Sequence, residues 1–277
     1  MPQLTTAQNV NLAYTDTGGE GRPLVLVHGW PLSGQAFARN IEPFVDAGHR
    51  VITYDRRGFG DSDKPATGYD YDTLTDDLEA VLEQLDLQGA VVLGFSMGGG
   101  EAARLGGRRN PRVAGLIFSG SIAPALCITD DNPDGAMPMA NFQAMSDACR
   151  ADRDGFLDSF ITTFYSTAEG GLRVAAPVRD AALEIARKSD PEAAASTILL
   201  WATDLREDCR RVRVPTLAIH GEDDQNVPMT ASSSRLPQYI EDAHLVIIEE
   251  APHGLNDSHH TQWESAVLDF METIDLA

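Results

Sequence analysis

The stretch Gly94-Phe95-Ser96-Met97-Gly98 decides how this chain folds, because it joins a predicted strand to a predicted helix with no loop between them. The apolar run 90–93 before it is typical of a strand, and the run 99–105 after it favours a helix. So sharp a turn leaves no space for side chains at the two glycines and predicts a nucleophile elbow with an exposed Ser96 hydroxyl. The five residues alone also fit an ordinary turn with a solvent-exposed serine, so the remaining sequence has to decide.

Apolar runs alternate with helical patterns on both sides of this turn. The predicted strands are 24–27, 50–54, 90–93, 113–118, 215–220 and 244–248, and the predicted helices around them are 35–46, 71–85 and 261–276. Such alternation is typical of βαβ units with right-handed crossovers, and therefore of an α/β fold with a mostly parallel sheet flanked by helices. Ligands bind sheets of this kind at the carboxyl ends of the strands, where Trp30, Asp55 and Ser96 all fall.

The alternation stops between residues 121 and 210, where prolines separate helical patches and no strand-like run is visible. We interpret 121–210 as a helical cap inserted into an α/β core that consists of residues 1–120 and 211–277. The residues predicted to line a substrate pocket under this cap are Pro31, Phe160, Phe164 and Trp201. The alternative for each aromatic residue is that it only holds the cap in place.

A catalytic use of Ser96 requires two further groups. A serine hydroxyl is a weak nucleophile that needs a neighbouring base, and histidine supplies that base when a carboxylate orients it. Asp224 follows the first predicted strand after the cap, and His253 follows the next one. The order Ser96, Asp224, His253 is the order of the catalytic triad in α/β-hydrolases.

Two alternatives near these residues stay open in the sequence. Asp223 is the other candidate acid, although Asp224 lies deeper in the acidic loop. His259 and His260 lie close to Asp257 and could bind a metal ion. Their spacing matches no common ligand motif, which favours the solvated start of a helix.

The loop His28-Gly29-Trp30-Pro31-Leu32 follows the strand 24–27 and is predicted to lie beside the serine. Backbone N–H groups of Trp30 and Met97 are predicted to form an oxyanion hole, since two fixed donors stabilise the negative oxygen of a tetrahedral intermediate. Pro31 biases Trp30 toward an extended conformation, which would orient its carbonyl as well as its N–H. Trp30 is alternatively a packing aromatic, and His28 is expected to brace the loop.

Composition and charge limit the partners. Of the 277 residues 43% are hydrophobic, enough for one large α/β domain, and no run is long enough to span a membrane. The net charge of −21 disfavours binding to nucleic acid or to anionic membrane surfaces. Three widely spaced cysteines are expected to be reduced, and the first residues lack the pattern of a secretory signal, so a cytoplasmic protein is expected.

The sequence resembles, almost end to end, the cofactor-free haloperoxidase, perhydrolase and arylesterase group of the α/β-hydrolases. The stretches that carry the resemblance are 27–32, 54–60, 68–73, 94–100, 220–224 and 251–254. The resemblance implies a catalytic triad of Ser96, Asp224 and His253. It also implies oxyanion donors at Trp30 and Met97 and no metal, haem or flavin cofactor.

The resemblance further implies a reaction. Members cleave small carboxylic esters through an acyl-enzyme, and a proline after the oxyanion aromatic, here Pro31, is associated with attack on that acyl-enzyme by hydrogen peroxide. The group includes enzymes that open bicyclic γ-lactams, and residues 131–135 are similar to their cap loop. The expected partners are therefore small esters, carboxylic acids or lactams, together with hydrogen peroxide. A ligand receptor on the same fold is an alternative, and the oligomeric state stays open.

Overall fold

A computed structural model describes residues 1–275 and places an eight-stranded sheet at the centre of the protein. The strands in chain order are β1 (Gln3–Thr5), β2 (Asn11–Asp16), β3 (Pro23–Val27), β4 (Arg50–Tyr54), β5 (Ala90–Phe95), β6 (Val113–Ser119), β7 (Cys127–Ile128), β8 (Met137–Pro138), β9 (Ser166–Thr167), β10 (Gly171–Leu172), β11 (Thr216–Gly221) and β12 (Ala243–Ile248). The central sheet has the order β1-β2-β4-β3-β5-β6-β11-β12. The pairs that β2 forms with β1 and β4 are antiparallel, and the other pairs in this sheet are parallel.

Helices accompany the sheet along the chain. Within the described residues they are α1 (Ile41–Asp46), α2 (Tyr71–Gln84), α3 (Gly98–Arg108), α4 (Met139–Ala151), α5 (Arg153–Phe164), α6 (Ala176–Arg187), α7 (Pro191–Thr197), α8 (Arg206–Arg211), α9 (Leu255–Ser258) and α10 (His260–Asp275). The predicted α/β class, a mostly parallel sheet flanked by helices, is confirmed. The predicted end of the last helix at Leu276 lies outside the described residues.

The predicted helix over 35–46 is divided in the structure into a 3₁₀ turn, Gly34–Phe37, and the helix α1. Pro43 explains the division, because a proline inside a continuous helix lacks the N–H that would bond to the preceding turn. Restarting the helix at Ile41 places Pro43 in the first turn, where backbone N–H groups have no helical partner in any case.

The middle of the sheet is covered on both faces. Every residue of β3 and of β5 is buried, which explains why these strands are continuous apolar runs. Because β3, β5, β11 and β12 are parallel, the loops that follow them meet at one edge of the sheet. Within residues 1–275, no helix combines the length and the apolar character that a membrane crossing needs.

Residues 121–210, predicted as a cap, contain the helices α4 to α7, all but the last residue of α8, and two short ribbons. The ribbons, β7 with β8 and β9 with β10, correct the prediction that this segment holds no strand. Each of these strands has only two residues, too few to show the alternation by which a strand is recognised. The segment contacts the carboxyl edge of the sheet, where Phe160 and Trp201 pack against the ring of Trp30 at centroid distances of 4.7 and 5.1 Å. Its division from the core at residues 120 and 210 remains a prediction.

Candidate active site

Ser96 lies in the turn between the end of β5 and the start of α3. Its φ of +54° falls in the left-handed region, which residues with a Cβ rarely adopt. A Cβ added at Gly94 would lie 2.4 Å from the carbonyl oxygen of Gly98, and one added at Gly98 would lie 2.6 Å from the carbonyl oxygen of Val27. The tightness of the turn therefore explains the two glycines that flank the serine.

Three side chains from three strand ends form a hydrogen-bonded file. His253, which is fully buried, places Nε2 2.9 Å from the Ser96 hydroxyl oxygen. Its Nδ1 lies 2.6 Å from Oδ2 of Asp224. Because Nδ1 donates to the carboxylate, Nε2 is left to accept the serine proton. The residues predicted as nucleophile, base and acid are thus within hydrogen-bond distance of one another, although they are far apart in sequence.

The Asp224 carboxylate is surrounded by donors. Its Oδ1 accepts the backbone N–H groups of Asn226 and Val227 at 2.9 and 2.8 Å, and its Oδ2 also lies 3.1 Å from Nε2 of His220. Burial alone would raise the pKa of Asp224, but the interaction with His253 and the hydrogen bonds from His220 and His253 outweigh burial, so the pKa lies below its ordinary value. The competing acid Asp223 is half-buried, and its side chain forms no hydrogen bond or ion pair with His253 among the described residues.

His220 is a site residue that the sequence analysis missed. Its Nε2 lies 2.9 Å from the carbonyl oxygen of Val227, and its Nδ1 lies 2.7 Å from the hydroxyl oxygen of Ser233. A carbonyl oxygen only accepts, so Nε2 carries a hydrogen, which it shares between Val227 and the Asp224 carboxylate. The sequence shows His220 only as the end of an apolar strand, and nothing in that pattern indicates a contact with the acid.

Two backbone N–H groups beside Ser96 have no hydrogen-bond partner among residues 1–275. Neither the N–H of Trp30 nor that of Met97 donates a hydrogen bond to any group in the part of the chain that the structure describes. The Trp30 loop lies close to the elbow, since a Cβ added at Gly29 would lie 3.0 Å from Cβ of Ser96. Buried donors without partners cost about 1–3 kcal/mol each, so they are rare unless a ligand or water pairs with them. The N–H groups of Trp30 and Met97, the two predicted oxyanion donors, are therefore available to pair with a ligand oxygen.

A cavity of about 250 Å³ opens onto the serine and the histidine. It is lined by Ser96, Ile122, Leu126, Ala136, Met137, Phe142, Met145, Phe156, Ser159, Phe160, Thr163, Trp201, Gln225, Asn226, Val227 and His253. Phe160 and Trp201, two of the four residues predicted to line a substrate pocket, are among these lining residues. No lysine, arginine, aspartate or glutamate is among these lining residues, so the cavity suits an uncharged group.

Phe164 and Pro31 differ from the predicted pocket positions. The Phe164 ring is almost fully buried and stands edge-on to the His253 ring at a centroid distance of 4.9 Å, so it packs behind the base instead of lining the cavity. Pro31 is buried in the loop and is not part of the cavity wall. The Trp30 ring packs under the cap and its Nε1 donates to the carbonyl of Ala194 at 2.9 Å, so the side chain of this residue is a packing aromatic.

The residues considered as metal ligands have other partners. The Asp257 carboxylate accepts a hydrogen bond from the Tyr165 hydroxyl at 2.7 Å. His259 contacts the Ser258 hydroxyl, and His260 faces Glu264 at 3.5 Å. Across residues 1–275, no three side chains of the usual ligand types are grouped as a metal ion requires.

Comparisons with known proteins identify the family. A model of the alpha/beta hydrolase fold family matches residues 22–260. A non-heme chloroperoxidase from Kitasatospora aureofaciens is 37% identical over 92% of this chain and 93% of its own length, and a bifunctional esterase/perhydrolase from Acinetobacter calcoaceticus is 33% identical over 92% and 94%. Among solved structures, a bromoperoxidase from Bacillus anthracis has a TM-score of 0.93 at 37% identity and covers 98% of this chain and 100% of its own.

Proposed function

The chain belongs to the α/β-hydrolase family, and from that premise we propose that it is a serine esterase that also perhydrolyses small carboxylic acids. The resemblance noted in the sequence is confirmed at the level of the family, and the relatives are enzymes. The observation that carries the proposal is the file of Ser96, His253 and Asp224 next to two backbone N–H groups that donate to no group of the described residues.

The proposed reaction begins with attack of the Ser96 oxygen on the ester carbonyl. His253 Nε2 accepts the serine proton as the new C–O bond forms, and the N–H groups of Trp30 and Met97 donate to the oxyanion. The C–O bond to the alcohol then breaks, and His253 returns the proton to the leaving oxygen. Asp224 keeps its negative charge throughout, because its pKa is already low, and it stabilises the protonated ring.

The acyl-enzyme is then open to two nucleophiles. Water, deprotonated by His253, releases a carboxylic acid, whereas hydrogen peroxide releases a peracid that can oxidise halide. The peroxide branch is supported by the relatives named chloroperoxidase and esterase/perhydrolase. It is also supported by the Trp30 carbonyl, which precedes Pro31 and accepts no hydrogen bond from the described residues, so it is free to hold a peroxide O–H.

The substrate class follows from the cavity. Its wall is largely aromatic and aliphatic, its polar lining residues include no lysine, arginine, aspartate or glutamate, and its volume is about 250 Å³. We expect it to take uncharged esters of small acids, since a charged acyl group would lose much of its hydration without gaining a counter-charge.

The test is the activity of Ser96→Ala on p-nitrophenyl acetate. By analogy with other serine triads, kcat should fall by about a millionfold. Ser265→Ala is the matched control, because Ser265 is exposed on α10 and does not line the cavity. Ester cleavage by Ser96→Ala at a rate near that of the control would refute the assignment.

The competing functions are separated by one panel of substrates. A p-nitrophenyl ester, a bicyclic γ-lactam and acetate with peroxide and bromide are compared on the unmodified enzyme. Lactam opening faster than ester cleavage would favour an amidase. A ligand receptor would be labelled at Ser96 by a fluorophosphonate and yet turn over none of the three.

A further inference from the structure

We propose that His28 is a positioning residue that sets the direction of the Trp30 N–H. The inference rests on the proposed function, in which that N–H donates to the oxyanion. His28 is fully buried and lies outside the triad, and it does not line the cavity. Its two ring nitrogens both contact backbone groups of the loops that surround the serine.

The hydrogen bonds of His28 define its tautomer. Nε2 lies 3.0 Å from the backbone nitrogen of Arg56, whose N–H can only donate, so Nε2 is an acceptor. Nδ1 lies 2.9 Å from the carbonyl oxygen of Gly29, which can only accept, so Nδ1 carries the hydrogen. Burial, reinforced by the charge of Arg56, holds the pKa of His28 well below its ordinary value, which keeps the ring neutral. The Nη1 group of Arg56, 3.4 Å from Nδ1, is itself a donor and does not change this assignment.

The Gly29 carbonyl and the Trp30 N–H belong to one rigid unit. The peptide bond between these residues is trans, so its C=O and N–H point in opposite directions in a single plane. The Nδ1–H of His28 and the N–H of Leu32, which donates at 3.0 Å, together hold that carbonyl. Fixing the carbonyl therefore fixes the direction of the N–H on the other side of the plane.

A buried ion pair holds His28 in turn. The Arg56 guanidinium donates to the carbonyl of His28 at 2.8 Å and to the Glu101 carboxylate at 2.5–3.1 Å. Tyr54 adds a hydrogen bond to Glu101 at 3.0 Å. Glu101 lies in the first turn of α3, the helix that begins directly after Met97. The pair of Arg56 and Glu101 therefore connects the two segments that carry the proposed donors.

The second proposed donor is the N–H of Met97, and among the described residues no side chain holds its peptide plane as His28 holds that of Trp30. The peptide plane that carries the Met97 N–H has the Ser96 carbonyl on its other side, and this carbonyl accepts backbone N–H groups of Gly99 and Ile122 at 3.0 and 3.3 Å. Among the described residues, His28 is therefore the only side chain that hydrogen-bonds to the carbonyl of either donor peptide. A substitution at His28 can therefore misdirect the Trp30 N–H while Ser96, His253 and Asp224 keep their functional groups.

The experiment compares three substitutions. His28→Ala removes the donor to Gly29 and should lower kcat by about 10- to 100-fold, which is less than the loss of a whole oxyanion donor, with KM nearly unchanged. His28→Asn places an amide N–H2 where Nδ1–H stands and should recover most of the loss. His28→Gln reaches the position of Nε2, accepts from Arg56 and leaves Gly29 without its donor, so its kcat should stay low.

Two inhibitors separate positioning from general damage to the fold. A trifluoromethyl ketone adds to Ser96 and forms an oxyanion, so its inhibition constant should rise in proportion to the loss of kcat in each variant. A neutral aryl alcohol that only fills the cavity should bind all variants equally. Thermal unfolding followed by circular dichroism identifies any variant that fails to fold, in which case the comparison of His28→Asn with His28→Gln decides.

The inference is overturned if His28→Asn is no more active than His28→Gln, or if affinity for the aryl alcohol falls together with affinity for the ketone. Failure of the proposed function gives a different result: the unmodified enzyme would then turn over no ester and would not bind the ketone, before any His28 variant is examined.

Discussion

Replacing Asp224 by asparagine is expected to be among the most damaging isosteric changes in this protein. The carboxylate receives two backbone N–H groups on Oδ1 and two imidazole nitrogens on Oδ2. An asparagine amide has one acceptor and one donor end. In either orientation, its N–H2 group faces two groups that are also donors.

The size of the effect follows from the orientation that the amide takes. If the N–H2 group faces His253, Nδ1 must become the acceptor and the hydrogen moves to Nε2, which can no longer accept the serine proton. Such a tautomer change lowers kcat of serine triads by about 10⁴-fold, or about 5 kcal/mol of transition-state stabilisation. If the N–H2 group faces Asn226 and Val227 instead, two buried donors lose their acceptor, which costs about 1–3 kcal/mol of folding stability for each.

The assay is steady-state hydrolysis of p-nitrophenyl acetate, with urea unfolding of the same samples. Asp223→Asn is the matched control, because Asp223 precedes Asp224 and its side chain has no hydrogen bond among the described residues. We expect the control to keep its rate within about twofold, as surface substitutions usually do. Retention of a tenth or more of kcat in Asp224→Asn together with a loss of folding stability below about 1 kcal/mol, or a larger loss of kcat in Asp223→Asn, would show that the acid has been assigned to the wrong residue.

Two further predictions concern stability. Glu101→Gln should lower the free energy of unfolding by about 3–5 kcal/mol, because it leaves the fully buried guanidinium of Arg56 without a counter-charge. Urea denaturation measures this loss, and a loss under about 1 kcal/mol would contradict the prediction. The hydrogen bond from Arg50 outweighs burial and lowers the pKa of Asp16. The ion pair therefore stabilises the folded state at pH values above the ordinary aspartate pKa of about 3.9, and this stabilisation is lost as the pH falls below that value. The stability difference between the unmodified protein and Asp16→Asn should therefore be constant from about pH 5 to 8 and shrink below about pH 4; a difference that grows in acid would show that the sign is wrong.

The fold could be predicted because its signals are local. The apolar runs at 24–27 and 90–93 are continuous since β3 and β5 are covered on both faces, and the glycines around Ser96 are required by the turn itself. Pro43, which divides the predicted helix 35–46, was visible in the sequence, but its position relative to the helix start depends on how the preceding loop packs. The two-residue strands of the cap are too short to leave any pattern.

The site was only partly predictable because its remaining contacts join distant segments. The sequence indicates that His28 braces a loop, but not that Arg56 and Glu101 pair beside it, since their partnership depends on how α3 packs against the loop after β4. Phe164 shows the same limit. Its helical position is clear from the sequence, yet whether its ring lines the cavity or packs on His253 depends on the tilt of α5.

Two of the three histidine–glycine steps of the chain, His28-Gly29 and His220-Gly221, lie at strand ends and use one physical device twice. In each, a fully buried imidazole at a strand end directs a ring N–H toward a polar group near Ser96. For His28 this group is the carbonyl oxygen of Gly29, and for His220 it is the Asp224 carboxylate. In each, the following glycine allows a neighbouring segment to approach: a Cβ added at residue 29 would lie 3.0 Å from Cβ of Ser96, and one at residue 221 would lie 2.4 Å from the carbonyl oxygen of Ala251, just before His253. An apolar strand that ends in His-Gly therefore combines a directed hydrogen bond with close backbone approach, and its occurrence at two strand ends connects the Trp30 loop and the Asp224 loop to the surroundings of Ser96.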